Sequence, residues 1–116
     1  MVYLVSKKQM NVIFANPTLQ TEFDKLLLGT HEDKELHSFI LRAIGDLKSN
    51  PREFIKIPRK LWPREYVKEF NTTNLWKYDL PNGWRLIYTI KENQVEILSV
   101  ILEWFSHKKY ERKFGY

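Results

Sequence analysis

Two cationic side chains in the last third of the chain are the first candidates for chemistry. Lys77 and Arg85 lie on either side of a Pro-Asn-Gly turn, and the alternation of apolar and polar residues puts both on one face of a predicted hairpin. Such a pair can hold a phosphate, the arginine through two parallel N–H bonds. With a proton acceptor nearby it can promote attack of an RNA 2′-hydroxyl on the adjacent phosphate, which requires a base, an acid and positive charge, but no metal.

The C-terminal segment supplies further candidates. His107 and Tyr110 are spaced i, i+3 in a predicted short helix that Ser106 caps, so both can face the same pocket. Two simpler interpretations remain open: Arg85 pairs with Asp79 in a surface ion pair contributing ~0–1 kcal/mol, and His107 is only a solvent-exposed helix residue. Six further basic residues are candidates for RNA or phosphate contacts: Lys56, Arg59, Lys60, Lys108, Lys109 and Arg112.

The distribution of charge is uneven along the chain. The net charge is +5, yet residues 1–50 carry six basic and six acidic side chains. Residues 51–116 carry thirteen basic and eight acidic side chains, together with thirteen of the seventeen aromatic residues. Basic and aromatic residues interleaved in this way suit a surface that neutralises phosphates and stacks bases. The alternative is that the aromatic residues form a core and the charges a solvated face.

The composition excludes several classes of protein. The 116 residues are enough for one domain spanning 1–116. With 43% hydrophobic and 28% charged residues, the chain is not a disordered chain, a membrane protein or a fibre. No apolar run approaches the ~20 residues that cross a bilayer, and residues 1–5 are too short for a secretory signal. We therefore expect a cytoplasmic protein with no membrane partner.

The sequence indicates neither a metal nor a cofactor. The absence of cysteine excludes disulfides, thiolate zinc sites and a thiol nucleophile. His31 and His37 have no partners at ligand spacing, and we interpret both as structural. Phosphate-binding glycine loops and Ser-His-Asp patterns are also absent.

A helical hairpin is the clearest structural prediction. A short strand is predicted at residues 12–14, and residues 2–5 are a possible second one. Asn16-Pro17 then has the residue types of the N-cap and first residue of a helix. Gly29 ends this helix and Thr30 caps the next, which Pro51 terminates. The apolar residues of both helices recur at helical spacing, so one face of the hairpin is buried.

The remainder predicts a sheet preceded by an irregular basic segment. Residues 51–74 contain three prolines and a possible short helix at 65–70. Strands are predicted at 75–80, 84–91 and 95–105, the last apolar on both faces as in a central strand. The architecture is α+β: an N-terminal strand, two antiparallel helices on one face of a twisted, mainly antiparallel sheet, and a short C-terminal helix. Lys77 and Arg85 then lie on the face that the helices leave open.

This order of elements resembles the RelE/ParE superfamily of type II toxins. Residues 75–80 (Leu-Trp-Lys-Tyr-Asp-Leu) and 83–90 (Gly-Trp-Arg-Leu-Ile-Tyr-Thr-Ile) are similar to the RelE pattern, with aromatic-Lys and Gly-aromatic-Arg-Leu-aliphatic-Tyr on adjacent strands. The similarity covers about residues 10–116, although the helices match by pattern only.

The resemblance implies a toxin that cleaves mRNA in the ribosomal A site without metal and is silenced by a cognate antitoxin. Lys77 resembles the family's first strand lysine, Arg85 its phosphate-contacting arginine, and Tyr110 the tyrosine that stacks on the substrate base. His107 resembles the histidine that precedes this tyrosine in many relatives. Asp79 stands where RelE has a second lysine, so both Asp79 and His107 are candidates for the base.

Two alternatives and one partner accompany this prediction. A ParE-like member inhibits DNA gyrase rather than cleaving RNA, and a catalytically degenerate member acts only as a binding module. In every case we expect a partner antitoxin, with an amphipathic helical segment that covers the basic groove of the toxin, and a toxin–antitoxin hetero-oligomer.

Overall fold

A five-stranded mixed sheet with helices on both faces forms the molecule. The structure, a computed structural model, describes residues 8–115, and the possible strand at 2–5 lies outside them. The strands are β1 (Gln9–Phe14), β2 (Ile55–Lys56), β3 (Trp76–Asp79), β4 (Arg85–Glu92) and β5 (Glu96–Phe105). The helices of this region are α1 (Pro17–Lys25), α2 (His31–Ser49), α3 (Arg64–Phe70) and α4 (His107–Phe114). The strand order is β1-β5-β4-β3-β2, with β1 parallel to β5 and the other neighbours antiparallel, which confirms the predicted α+β class.

The first helix begins where the sequence predicts. The Asn16 side chain accepts a hydrogen bond from the Leu19 N–H (2.8 Å), and Pro17 is the first helical residue, where its missing N–H costs nothing. The helix tightens into a 3₁₀ turn at Leu26–Leu28 and stops at Gly29.

The second helix has caps at both ends. The Thr30 hydroxyl accepts from the Asp33 N–H (3.2 Å), and the Asp33 carboxylate accepts from the Thr30 N–H (3.0 Å), a reciprocal pair that satisfies two otherwise unpaired donors. The helix ends at Asn50, before Pro51. Of its apolar residues at helical spacing, Leu36, Ile40, Ala43 and Leu47 are buried, whereas Phe39 and Ile44 pack against the same core and are only partly buried.

The helical hairpin covers one face of the sheet and forms what we call the hairpin core. Its buried residues are Leu19, Phe23, Leu36, Ile40, Ala43, Leu47, Leu80, Leu86, Tyr88, Ile90, Ile97 and Ile101. The Tyr78 hydroxyl donates to the Asp46 carboxylate (2.5 Å) and so joins β3 to α2. Burial, together with this hydrogen bond, raises the pKa of Tyr78 to about 12.

The opposite face of the sheet is covered as well, so the prediction of an open face is wrong. Helices α3 and α4 pack on it and form what we call the C-terminal core: Ile57, Tyr66, Leu75, Ile87, Val100, Leu102, Phe105, Tyr110 and Phe114. The physical reason lies in α4, where Tyr110 and Phe114 share one side at i, i+4 spacing and are only 3% and 2% exposed.

The basic segment between the hairpin and the sheet is more ordered than an irregular loop. It contains β2, a 3₁₀ turn at Arg59–Leu61 and α3, so the possible helix at 65–70 is confirmed. The Trp62 indole N–H donates to the Ile57 carbonyl (2.8 Å) and anchors the turn. Helix α3 ends at Asn71 with φ 51°, a left-handed conformation that asparagine tolerates better than most residues.

Candidate phosphate-binding site

Strands β3 and β4 bring three charged side chains together, as their alternation predicts. Lys77 lies opposite Ile87, and Asp79 lies opposite Arg85. Directly opposed residues share a face of an antiparallel pair, and Ile87 belongs to the C-terminal core. Lys77, Asp79 and Arg85 therefore lie on the side of the sheet that α4 covers; together with Tyr110 we call them the cation cluster.

Asp79 is the centre of the charge pairing in this cluster. Its Oδ1 lies 3.0 Å from Arg85 Nε and 3.6 Å from Lys77 Nζ. The Asp79 side chain is 45% exposed, whereas the side chains of Lys77 and Arg85 are 18% and 17% exposed. The pairing of Arg85 with Asp79 considered from the sequence is thus present, and two cations share one carboxylate.

The contact between Arg85 and Asp79 leaves part of the guanidinium available. Arg85 Nε lies 3.0 Å from Asp79 Oδ1, but its buried N–H has no acceptor in hydrogen-bond geometry among the described residues. The Nη1 of the same guanidinium donates to the Trp84 carbonyl (3.2 Å). Asp79 therefore does not engage the guanidinium by the two parallel bonds that make an arginine–oxyanion pair strong. A phosphate with better geometry can compete for Arg85.

Tyr110 packs against both cations from α4. The centre of its ring is 5.2 Å from Lys77 Nζ and 5.8 Å from Arg85 Cζ, which is cation–π range, and the ring stacks on Phe114 at 4.6 Å. The sequence therefore correctly groups Tyr110 with Lys77 and Arg85. At 3% exposure, however, the ring is not accessible to a substrate base while α4 remains in this position.

His107 lies beside the hairpin turn, on the exposed side of α4. Its Nε2 is 2.5 Å from Glu111 Oε1, and its side chain is 57% exposed. A Cβ on Gly83 would approach the His107 Cβ to 3.2 Å, and Gly83 has φ +78°, so glycine suits this turn both conformationally and sterically. The structure thus separates His107 from Tyr110: the first is solvent-exposed and the second is buried.

The predicted RNA-binding residues fall into three groups. Lys108, Lys109 and Arg112 are exposed on α4, and none of them forms an ion pair with another described residue. A second group lies before α3, where Lys60 is exposed and Arg59 lies over the Trp62 ring at 5.5 Å. The third group is Lys56 alone. It pairs with Trp76, which packs against the hairpin core, so Lys56 lies on the face of the sheet opposite to the cation cluster.

Lys113 has a positioning role that the sequence did not indicate. Its Nζ is 2.7 Å from Glu65 Oε1 and 3.5 Å from Glu103 Oε1, and it lies over the Tyr66 ring at 5.2 Å. Burial alone lowers the pKa of Lys113, but the hydrogen bond to Glu65 and the charge of Glu103 leave it raised. The same hydrogen bond lowers the pKa of Glu65. Lys113 therefore holds α4 against α3 and β5.

A backbone irregularity places Glu103 for this contact. Ile87 pairs with Glu103 and Tyr88 with Ile101, so Leu102 is an extra residue in β5. Such a bulge turns the following side chain to the face of its neighbour. Leu102 accordingly enters the C-terminal core, and Glu103 reaches Lys113 of α4.

The described part of the chain contains no group of three or more His, Asp or Glu side chains able to hold a metal ion. His37 stacks on Phe23 with ring centres 4.2 Å apart, in agreement with its structural interpretation.

Within residues 8–115, no helix combines the length and apolar character needed to cross a membrane.

Comparison with known proteins assigns no role to the cation cluster. No protein-family model, curated protein or solved structure matches the chain.

Proposed function

We propose that the protein is a RelE/ParE-like toxin of a type II toxin–antitoxin system, which cleaves mRNA in the ribosomal A site. The observation that carries the proposal is the convergence of Lys77 and Arg85 on one point of the sheet with Tyr110 against both. The α+β fold and the sequence pattern of the two strands support it. A protein with this function acts in the cytoplasm, where the ribosomes are.

In the proposed reaction, the cation cluster binds the scissile phosphate. Arg85 and Lys77 donate to its oxygens and stabilise the charge that develops as the RNA 2′-oxygen attacks. The 2′-O–P bond forms and the bond from phosphorus to the 5′-oxygen breaks, leaving a 2′,3′-cyclic phosphate and a 5′-hydroxyl. Asp79, half exposed beside the cations, is the candidate base for the 2′-hydroxyl, and His107 is the candidate acid for the leaving oxygen.

Binding of a phosphate requires Arg85 to exchange part of its contact with Asp79. The Arg85–Asp79 ion pair has a half-exposed carboxylate and no aligned hydrogen bond from Nε, so it contributes ~0–1 kcal/mol, whereas an aligned hydrogen bond to a charged group contributes about 1.5–3 kcal/mol. The exchange is therefore favourable for a phosphate that bonds both Arg85 and Lys77.

The exposed cations beside the cluster suit the RNA backbone. Lys108, Lys109 and Arg112, on the helix that carries Tyr110, are exposed, and each phosphate neutralised in this way makes binding more dependent on salt. The same surface is the proposed contact of the antitoxin, through an acidic, amphipathic helix within a toxin–antitoxin hetero-oligomer.

A second candidate function, a catalytically degenerate binding module, is favoured by one observation. Asp79 already neutralises part of the cluster, and Tyr110 is buried rather than open to a base. Such a protein binds the antitoxin or RNA but leaves mRNA intact.

Growth and mRNA integrity after induced expression distinguish these functions. We expect wild-type protein to arrest growth with cleaved mRNA, Arg85→Ala to relieve the arrest, and Arg42→Ala, an exposed arginine on α2, to behave as wild type. Arrest that survives Arg85→Ala would contradict the proposal. Arrest with intact mRNA and inhibited gyrase supercoiling would indicate ParE-like activity, and expression that affects none of the three would indicate the binding module.

A further inference from the structure

A second basic and aromatic site lies on the hairpin side of the sheet, at its β2 edge. It is a cavity of about 290 Å³, close to the lower limit of small-molecule pockets, ~300 Å³. The lining residues are Arg52, Lys56, Asn74, Trp76, Ile90 and Glu92. Because Trp76 and Lys77 are consecutive residues of β3, their side chains leave the strand on opposite faces. This cavity and the cation cluster are therefore separate sites.

Trp76 forms a rigid wall of the cavity. Its indole N–H donates to the Asn74 side-chain oxygen (3.1 Å). Asn74 is itself fixed by hydrogen bonds from the Ile90 N–H (2.8 Å) and to the Ile90 carbonyl (2.8 Å). The Trp76 ring lies nearly parallel to that of Tyr88, with centres 6.3 Å apart and an angle of 20°. The orientation of the indole is thus set before any ligand binds, and its N–H is already occupied.

The charges at the cavity leave it positive. Glu92 is shared by Lys8 (2.7 Å) and Arg52, and the hydrogen bonds from these cations lower its pKa, so it stays ionised and neutralised. Lys56 forms no ion pair with another described residue; its Nζ lies 6.0 Å from the centre of the Trp76 ring. That distance is the outer limit of a cation–π contact, so Lys56 loses little by turning towards a phosphate.

We propose that this cavity binds one nucleotide of single-stranded RNA, with the base against Trp76 and the phosphate at Lys56 and Arg52. Base–aromatic stacking contributes about 1–3 kcal/mol per base and tolerates any base, since each has a π-face. The occupied indole N–H agrees with recognition by stacking rather than by hydrogen bonds to base edges.

This inference rests on the proposed RNA-directed function and extends it to a second contact. Trp76 and Lys77 are neighbouring residues of β3, and only the two-residue strand β2 lies between β3 and the edge of the sheet, so the path from one site to the other around this edge is short. A nucleotide held at Trp76 then helps to position the neighbouring RNA at Lys77 and Arg85.

Titration of the full chain with adenosine 5′-monophosphate, followed by NMR of the indole N–H groups, tests the inference. Trp76→Phe assigns the Trp76 resonance. We expect the nucleotide to shift this resonance, and Lys56→Glu to weaken its binding about fivefold or more, which corresponds to about 1 kcal/mol. The control Lys91→Glu makes the same charge change on β4, where Lys91 follows Ile90 and lies on the other face. We expect it to bind as wild type.

The inference is overturned if inorganic phosphate shifts the Trp76 resonance as strongly as the nucleotide does, or if an acidic peptide binds there more tightly than a short RNA. Loss of affinity in Lys91→Glu equal to that in Lys56→Glu would also contradict it, because only bulk charge would then matter.

The cleavage assay separates this inference from the proposed function. If Arg85-dependent cleavage occurs but the nucleotide leaves Trp76 unaffected, the second contact is disproved and the proposed function stands. If the nucleotide binds at Trp76 but mRNA is never cleaved, the second contact stands and the proposed nuclease function is disproved.

Discussion

The two faces of the sheet are both covered by helices, but the covers differ in length and in chemistry. On the hairpin side, α2 has nineteen residues and buries a continuous apolar stripe. On the other side, α3 and α4 have seven and eight residues, and Lys77, Arg85 and Lys113 lie against their aromatic rings. The first cover stabilises the fold mainly by apolar burial, with the Tyr78–Asp46 hydrogen bond beside it, whereas the second depends partly on ion pairs and cation–π contacts. The groups proposed to bind the scissile phosphate, Lys77 and Arg85, lie at the second.

The largest effect on stability is expected in the hairpin core. Leu47 on α2 is 1% exposed, and Leu47→Ala leaves a cavity that the surrounding helices and strands cannot close. We expect the free energy of unfolding to fall by about 2–5 kcal/mol, measured by urea denaturation. Leu41→Ala, at a position 56% exposed on the same helix, should change it by less than about 0.5 kcal/mol; equal losses in both variants would contradict the packing described.

Truncation of the C-terminal core should act locally. Phe114 is 2% exposed, but α4 is short enough to detach from the sheet without global unfolding. We expect Phe114→Ala to lower the free energy of unfolding by less than the loss of about 3–5 kcal/mol that is typical of a buried Phe→Ala change, because opening of α4 alone limits the loss, and amide exchange to accelerate in α4 but not in α2. Faster exchange throughout the sheet and α2 would show that the two covers unfold together.

Removal of the Lys113 contacts should have a smaller effect on the same helix. Lys113→Ala loses the ion pairs to Glu65 and Glu103, which are partly exposed and therefore contribute about 1 kcal/mol. Amide exchange in α4 should accelerate accordingly. Lys109→Ala removes a lysine that is exposed and without an ion pair in the described region, and should leave the exchange unchanged; an equal response in both would mean that net charge alone matters.

The smallest expected effect is a pH dependence of α4 docking. The pKa of Glu65 is lowered in the folded protein, so its contribution is complete above the ordinary value of 4.5 and is lost as pH falls through the lowered pKa. Because Glu65 is largely exposed, the effect should be below about 1 kcal/mol. The protection factors of the α4 amides, which correct exchange for its intrinsic dependence on pH, should fall on acidification in the wild type. If the same pH dependence persists fully in Lys113→Ala, it does not arise from the contact between Glu65 and Lys113.

The sequence predicts the hairpin side well because its signals are local. Asn16, Thr30 and Gly29 mark helix ends through contacts within a few residues, and the apolar stripe of α2, from Leu36 to Leu47, repeats over about three turns. The alternation that groups Lys77, Asp79 and Arg85 is equally local. For these residues the structure and the sequence agree.

The C-terminal side could not be predicted to the same extent, since its contacts join distant segments. Tyr110 has the type and position of a substrate-binding residue, and one helical turn of spacing does not distinguish a buried ring from an exposed one. Lys113 binds Glu65 of α3 and Glu103, which the bulge in β5 aims at it. The pairing of Lys56 with Trp76 in β2 places Lys56 on the hairpin side. A strand of two residues is too short to show an alternation of apolar and polar residues in the sequence.

The most direct measurement of the central claim uses purified ribosomes that carry an mRNA with an occupied P site and an empty A site. Wild-type protein should cut the mRNA in the A site and leave a 2′,3′-cyclic phosphate, detected by mapping both new ends. Arg85→Ala should lower the rate about 100-fold or more, as expected for removal of a group that stabilises the transition state, while Arg42→Ala should retain it. Wild-type protein that binds these ribosomes and leaves the mRNA uncut, or cleavage equally fast in Arg85→Ala, would contradict the account.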